Sequence, residues 1–381
     1  MLFYLSQWLL EECKGTIWAD WLSALRLFRY ITVRSAGAAI TALVLSWWLG
    51  PKMIAWLRNY FGQSYRDRAE THGDLKRSGT SKQGTPTMGG LLIVFTMNLA
   101  TLLWAQWNTL VQLTLLSVVV LAALGFCDDY QKVVRENPRG VTTFVKLTVQ
   151  TLLGLFIGLY LWAVPATTKL VSEIMVPFYK YPVATGVAAL GILITVLAVV
   201  GSSNAVNLTD GLDGLAIGCT TIVSFAFLAM TYLAGNFRTA SYLQIPYVPG
   251  AGELTVFCAA LIGAGMGFLW YNCHPAQVFM GDTGSLALGG ALGIMAVLIH
   301  QPFVLLIAGG VFVMEAGSVI LQVLYFKYTK ARYGTGQRLF LMSPLHHHFE
   351  KKNWHETQVV IRFYILCVLF VLVALSTLKI R

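Results

Sequence analysis

Ten stretches of the chain are apolar for long enough to cross a membrane, and no other feature constrains its fold as strongly. A membrane helix needs about 20 mainly apolar residues. The stretches are Tyr30–Gly50, Met88–Trp107, Val111–Cys127, Phe144–Ala163, Thr185–Val206, Leu215–Ala234, Leu254–Tyr271, Ser285–His300, Phe303–Phe326 and Val359–Leu378, the eighth being the shortest. Backbone N–H and C=O groups find no water in hydrocarbon, so each stretch must satisfy its own hydrogen bonds as a helix. The expected fold is therefore an all-α polytopic integral membrane protein, with residues 1–381 as a single membrane-embedded domain. Residues 1–29 are expected to be a peripheral N-terminal segment. Met1–Leu10 is apolar but too short to span; it lacks a basic leader and is followed by Glu11 and Glu12, unlike a cleavable signal. With Trp8, Trp18 and Trp21 it suits the membrane interface.

Charge sets the expected orientation. Of 27 Lys and Arg residues, 17 lie between stretches 1 and 2, 3 and 4, or 9 and 10, counting Lys146 with the loop it borders. The positive-inside bias places that side in the cytoplasm and both termini outside. Charged residues are 12% of the chain against about 25% in soluble domains. With 56% hydrophobic residues, this excludes a disordered chain and argues against a soluble enzyme. The net charge of +10 suits loops facing anionic lipid headgroups. No basic, aromatic-interleaved face suggests nucleic-acid binding. The six cysteines are scattered without a C-x-x-C pair and read as buried thiols.

The acids carry a separate signal. Seven of the eight Asp residues fall on the expected cytoplasmic side, and Asp128, Asp129, Asp210, Asp213 and Asp282 sit where stretches end. A carboxylate at that depth is costly to desolvate and needs a partner or a task. The clustering points to a cationic cofactor on that face. Adjacent Asp128 and Asp129 repel unless a cation joins them or one is protonated, and Mg²⁺ suits such a hard oxygen site; a solvated helix end is the alternative. Asn204, Asn207, Asp210 and Asp213 lie in a short glycine-punctuated link able to bind a nucleobase or ribose, or to cap the next helix. Phe279, Gly281, Asp282 and Ser285 form a similar link, in which an aromatic could stack a base beside a metal-binding acid. Lys82 and Thr87, at the entry to the second stretch, suit phosphate, although the segment is no P-loop. His346, His347 and His348 occupy an irregular loop, from which two could reach one site. Glu315 is an isolated acid deep in a stretch, either functional or paired with a helix neighbour.

In combination these segments resemble the bacterial phospho-N-acetylmuramoyl-pentapeptide-transferase family. The motifs are Gly84-Thr85-Pro86-Thr87-Met88-Gly89-Gly90, Asp128-Asp129, Asn204 to Leu215, Pro275 to Asp282, and Pro344 to Glu350, in order, over a resemblance running from about Trp48 to Arg381. The segment Arg68–Lys82 is several residues longer than is usual there. The resemblance implies transfer of phospho-N-acetylmuramoyl-pentapeptide from UDP-MurNAc-pentapeptide to undecaprenyl phosphate, with Mg²⁺, at the cytoplasmic face of the inner membrane. The products would be UMP and lipid I. It further implies Asp282 as Mg²⁺ ligand with Asp128 and Asp129 beside it, and Asp128 as the base acting on the lipid phosphate. Asn207, Asp210 and Asp213 would line the nucleotide site, with Phe279 on uracil, and Asn204, Asn272, Gly281 and Ser285 would also bind substrate. Lys82, Thr87, Lys132 and Lys146 would face phosphates; His346 would be catalytic, with His347 and His348 closing the site. A homodimer is also implied. The alternative is a UDP-GlcNAc:polyprenyl-phosphate GlcNAc-1-phosphate transferase, separated by sugar preference. A secondary transporter would place polar groups at the bilayer midplane of repeated halves; the sequence shows polar groups at one face and no repeat.

Overall fold

The computed structural model describes residues 1–14, 21–61, 84–135, 137 and 139–379. Nine helices among them are long and apolar enough to cross a membrane. In chain order they are α2 (Ile31–Phe61), α4 (Thr109–Val133), α5 (Thr143–Ala163), α7 (Ala188–Thr209), α8 (Leu215–Ala234), α10 (Gly252–Asn272), α11 (Gly281–Leu298), α13 (Gly310–Tyr333) and α15 (Glu356–Ser376). Shorter helices are α1 (Leu2–Glu12), α3 (Gly90–Trp104), α6 (Lys169–Ser172), α9 (Phe237–Leu243), α12 (Pro302–Ala308) and α14 (Leu345–Lys351), with a 3₁₀ helix at Trp21–Arg29. The strands among the described residues are a two-residue antiparallel pair, β1 (Glu173–Ile174) and β2 (Ala184–Thr185). The chain is thus a multi-pass, all-α membrane protein.

Each expected stretch contains a helix, with two differences. The second is only 15 residues long, about 22 Å at 1.5 Å per residue, short of the roughly 30 Å hydrocarbon core. It ends at Trp104 because the chain turns extended at Ala105. The ninth is broken: Gly309 separates α12 from α13, and Pro302 begins α12, where its missing N–H costs nothing. The shortest expected stretch becomes α11, the most enclosed of the nine long helices among the described residues.

Small residues explain that enclosure. Without a hydrophobic drive between helices in lipid, close backbone approach gives the dispersion energy. A β-carbon at Gly289 would stand 2.4 Å from the Ser202 carbonyl oxygen, so α11 lies directly on α7. Helix α10 lies against α2 in the same way, at Gly263 and Ala39. The core therefore centres on α10 and α11, whose ends carry Asn272 and Asp282.

At the other ends of these helices, Arg34 of α2 and Glu253 of α10 form a buried two-pronged ion pair, 2.5 and 2.7 Å. Helix α1 packs nearby: Trp107 N–H donates to the Tyr4 hydroxyl (3.0 Å), and the Arg34 guanidinium lies 5.0 Å from the Phe3 ring centre.

Candidate active site

Successive residues of a helix point about 100° apart, so Asp128 and Asp129, on the last turns of α4, reach different partners. Asp129 turns to the first turn of α11. Its Oδ1 accepts from Asp282 N–H (3.1 Å), and its Oδ2 accepts from Thr283 N–H (2.9 Å) and the Thr283 hydroxyl (2.7 Å). These donors are otherwise orphaned at a helix start, where the dipole also favours a carboxylate. Asp129 is therefore a cap supplied from a neighbouring helix, and it fixes the position of Asp282.

Asp128, fully buried, turns the other way. Its Oδ1 accepts from Val141 N–H at 2.8 Å, and its Oδ2 meets the ammonium groups of Lys132 and Lys146, the latter at 2.9 Å. Lys132 is one turn further along α4, and Lys146 stands in the first turn of α5. The same ammonium groups reach Asp282 Oδ2, Lys146 at 2.7 Å and Lys132 at 3.2 Å. Asp282 Oδ1 accepts from Asn207 Nδ2 (3.0 Å), near the end of α7. Asn207 Nδ2 also donates to Ser285 Oγ at 2.8 Å. Four helices thus converge on one polar cluster.

The cluster's chemistry suits a hard divalent cation. Oxygens of Asp128, Asp129 and Asp282 lie within 4.8 Å of one another. Three carboxylates against two ammonium groups leave one excess negative charge, and two lysines drawn to the same oxygens mark where positive charge is favoured. An all-oxygen donor set fits Mg²⁺. Asp128 and Asp282 are the better-placed ligands, because both oxygens of Asp129 are committed to the start of α11, whereas Asp128 Oδ2 and Asp282 Oδ2 share the two lysines, whose positive charge a cation can replace.

Two loops frame the cluster. Residues 86–90 run along 279–280 through three backbone hydrogen bonds: Phe279 N–H to Pro86 O, Gly89 N–H to Phe279 O and Gly90 N–H to Met280 O, 2.8–2.9 Å. Gly281 has φ +73°, and a β-carbon there would lie 2.6 Å from Asp129 and 3.0 Å from Thr87 Oγ1. Thr87 is therefore beside the start of α11. Phe279 is half-buried, with its backbone held.

The loop after α7 is held by groups far away in sequence. Asn272 accepts from Gly214 N–H (3.1 Å) and donates to Val278 O (2.8 Å), bracing one loop on the other. Asp213 accepts from Ala276 N–H and meets His274 Nδ1, both at 3.1 Å. Asp213 N–H donates to Glu356 of α15 at 2.9 Å. The Tyr364 hydroxyl donates to Gly214 O at 2.7 Å. Asp213, His274 and Glu356 form a second group whose ligand atoms lie within 4.8 Å. Asp210, half-buried, follows the last residue of α7.

The three histidines stand on the short helix α14, not in the irregular loop expected, so successive rings point different ways and separate by role. His346 is buried and its Nδ1 lies 3.2 Å from Glu315 Oε2 of α13. His347 Nδ1 lies 2.6 Å from Glu350. His348 Nδ1 accepts from Leu341 N–H at 3.1 Å; partial burial and nearby Lys352 hold it below its ordinary value.

The structure thus brings together Asp128, Asp129, Lys132, Lys146, Asn207, Asp282 and Ser285, with Thr87 and Gly281 beside them. Asn204 lies apart from that cluster: its Nδ2 donates to Gln150 of α5 (2.7 Å) and to Val200 O (2.8 Å). Lys82 lies outside the described residues. Sequence reading did not identify His274, Glu356 and Tyr364, because no local pattern links them to residues 60–150 positions away. Glu315 did stand out, as an acid in an apolar stretch, but its partner did not.

Residues 111–300 match the model of glycosyl transferase family 4, and residues 82–94 match signature 1 of phospho-N-acetylmuramoyl-pentapeptide-transferase. The chain is 51% identical over 366 residues to the phospho-N-acetylmuramoyl-pentapeptide-transferase of Methylacidiphilum infernorum, covering 96% of this chain and 98% of that one. It is 49% identical over 365 residues to the same-named protein of Opitutus terrae, covering 95% and 98%. It is 48% identical over 364 residues to that of Syntrophus aciditrophicus, covering 94% and 96%. At this identity over nearly the whole length, the chain belongs to the phospho-N-acetylmuramoyl-pentapeptide-transferase family and is a transferase.

Proposed function

We propose that the chain transfers phospho-N-acetylmuramoyl-pentapeptide from UDP-MurNAc-pentapeptide to undecaprenyl phosphate, releasing UMP and forming lipid I, with Mg²⁺. The reaction takes place at the cytoplasmic face of the inner membrane. The observation that carries this reading is the meeting of Asp128, Asp282, Lys132, Lys146 and Asn207 at the ends of apolar helices. A lipid phosphate and a soluble diphosphate can meet only at such a face.

Phosphoryl transfer needs positioning and charge neutralisation more than covalent chemistry. An oxygen of the lipid phosphate bonds to the sugar-bearing phosphorus; the bond to the UMP phosphate breaks and UMP leaves with its electron pair. Lys132 and Lys146 offset the repulsion between the two anions. Asp128 takes any proton remaining on the lipid phosphate and holds both lysines in place. Asp282 is oriented by Asp129 and Asn207. Asp128 and Asp282 hold the Mg²⁺, which when bound supplies Lewis-acid charge stabilisation. Asp213 and Phe279 face the nucleotide. The homodimer remains part of this reading.

UMP release from purified protein in detergent tests it, with undecaprenyl phosphate and either UDP-MurNAc-pentapeptide or UDP-GlcNAc, with and without EDTA. Turnover with the muramoyl donor alone, lost in EDTA and restored by Mg²⁺, is expected. Turnover with UDP-GlcNAc would move the chain to the GlcNAc-1-phosphate branch, and EDTA-resistant turnover would remove the metal.

A further inference from the structure

Glu315 and His346 are both fully enclosed, at 0% and 1% exposure, and they face each other through Oε2 and Nδ1. Their other polar atoms, Glu315 Oε1 and His346 Nε2, are buried without any hydrogen-bond partner. A buried unpaired polar atom costs about 1–3 kcal/mol, and two apolar side chains of similar size would pack there without that cost. Stability alone does not account for the pair.

The free ring nitrogen has a direction. A β-carbon at Gly211 would lie 2.1 Å from His346 Nε2, so the nitrogen rests against the bare backbone of that glycine. Gly211 itself is exposed. One residue without a side chain therefore separates Nε2 from the open side of the loop that follows Asn207. Any other residue at 211 would block it.

We propose that Glu315 is a positioning residue that acts on the transfer reaction through His346. Its carboxylate accepts a hydrogen bond from Nδ1–H and sets the ring, so that Nε2, when it carries a proton, is the N–H left to donate to the substrate's diphosphate once the Gly211 loop yields. This is the logic by which a buried carboxylate orients a histidine in hydrolytic triads. The proposal rests on the transferase reading of the site.

The test compares UMP release by wild type, Glu315→Gln, Glu315→Asp, His346→Ala and the Glu315→Gln/His346→Ala double variant. Loss of an orienting partner lowers activity about 10- to 100-fold. Glu315→Gln and His346→Ala should each lower kcat by that much with donor KM within threefold. The double variant should be no slower than His346→Ala, because Glu315 has nothing else to act through. Glu315→Asp should recover part of the loss. Near-wild-type turnover in Glu315→Gln, or losses that multiply in the double variant, would overturn the proposal. If Glu315→Gln does not fold, Glu315→Asp carries the same comparison in both backgrounds.

A second readout needs no turnover. In ¹⁵N-histidine-labelled protein, the imidazole signal absent from His346→Ala should show a protonated Nδ1, and Glu315→Gln should move it. An unmoved signal would sink the positioning role. A wild type without UMP release would instead sink the transferase reading, leaving the ring's orientation still measured.

Discussion

Gly125→Ala should cripple the enzyme while leaving it folded. Gly125 lies one turn before Asp129 on α4 and shares its face, so the residue that permits contact with α11 precedes the residue that caps it. A β-carbon at 125 would lie 2.2 Å from the carbonyl oxygen of Asp282, 2.4 Å from its carbonyl carbon and 2.6 Å from Thr283 Cα. Ordinary contact begins near about 3.5 Å, so residues 282–283 would have to retreat by about 1 Å. They are backbone, and no rotamer change relieves the clash. Helix α3 restricts the same segment, since a β-carbon at Gly90 would lie 2.1 Å from Gly284 N. Overpacking of this kind costs about 1–3 kcal/mol, while an ångström of misplacement at a reacting centre costs about 100-fold in rate. The assay is kcat for UMP release beside the thermal unfolding midpoint in detergent. Gly201→Ala is the control: nothing lies within 4 Å of its β-carbon, so turnover should hold and stability should rise by up to about 1 kcal/mol. Turnover of Gly125→Ala within twofold of wild type would refute the claim that this contact sets the position of Asp282.

Asp128→Asn should abolish nearly all UMP release without unfolding the chain, because it removes the charge on which both lysines converge; turnover within a few-fold of wild type would contradict its role. Glu253→Gln leaves Arg34 buried with a neutral partner. Breaking such a pair costs about 3–5 kcal/mol, seen as a lower midpoint, whereas Michaelis constants should hold because the pair sits at the far ends of the helices. His300 is held below its ordinary value by burial, against the pull of its 2.7 Å contact with Glu173 O. Its neutral form therefore stabilises the fold fully above about pH 6.5, and that contribution is lost as pH falls toward the lowered value. His300→Asn should flatten the acid side of a midpoint-against-pH curve; an unchanged slope would show that His300 does not titrate on unfolding.

Much of this was legible because hydrocarbon is a demanding solvent. A run of some 20 apolar residues can only be a helix there, so even the shortest stretch announced α11. What failed locally failed for a local reason: the ninth stretch is apolar throughout, and apolarity says nothing of the break at Gly309. The site was legible as a set of residue types, since five aspartates at helix ends demand an explanation. Individual assignments were not. Asn204 and Asn207 share one short segment, yet Asn204 bonds to Gln150 while Asn207 bonds to Asp282. Three residues along a helix leave two side chains only about 60° apart around the axis and about 4.5 Å apart along it, and only the neighbouring helices decide what each meets.

The sequence by itself determined the fold class, the number of apolar segments and the face where the acids gather, because these follow from transfer energies that each residue carries wherever it sits. Tertiary structure alone decided the pairings. Asp129 caps α11 from 153 positions away, Glu356 holds Asp213 across 143, and Glu315 meets His346 across the rest of α13 and a loop. Such pairings depend on distances of 2.7–3.2 Å between elements, and those distances are set by how closely bare glycines let the helices approach.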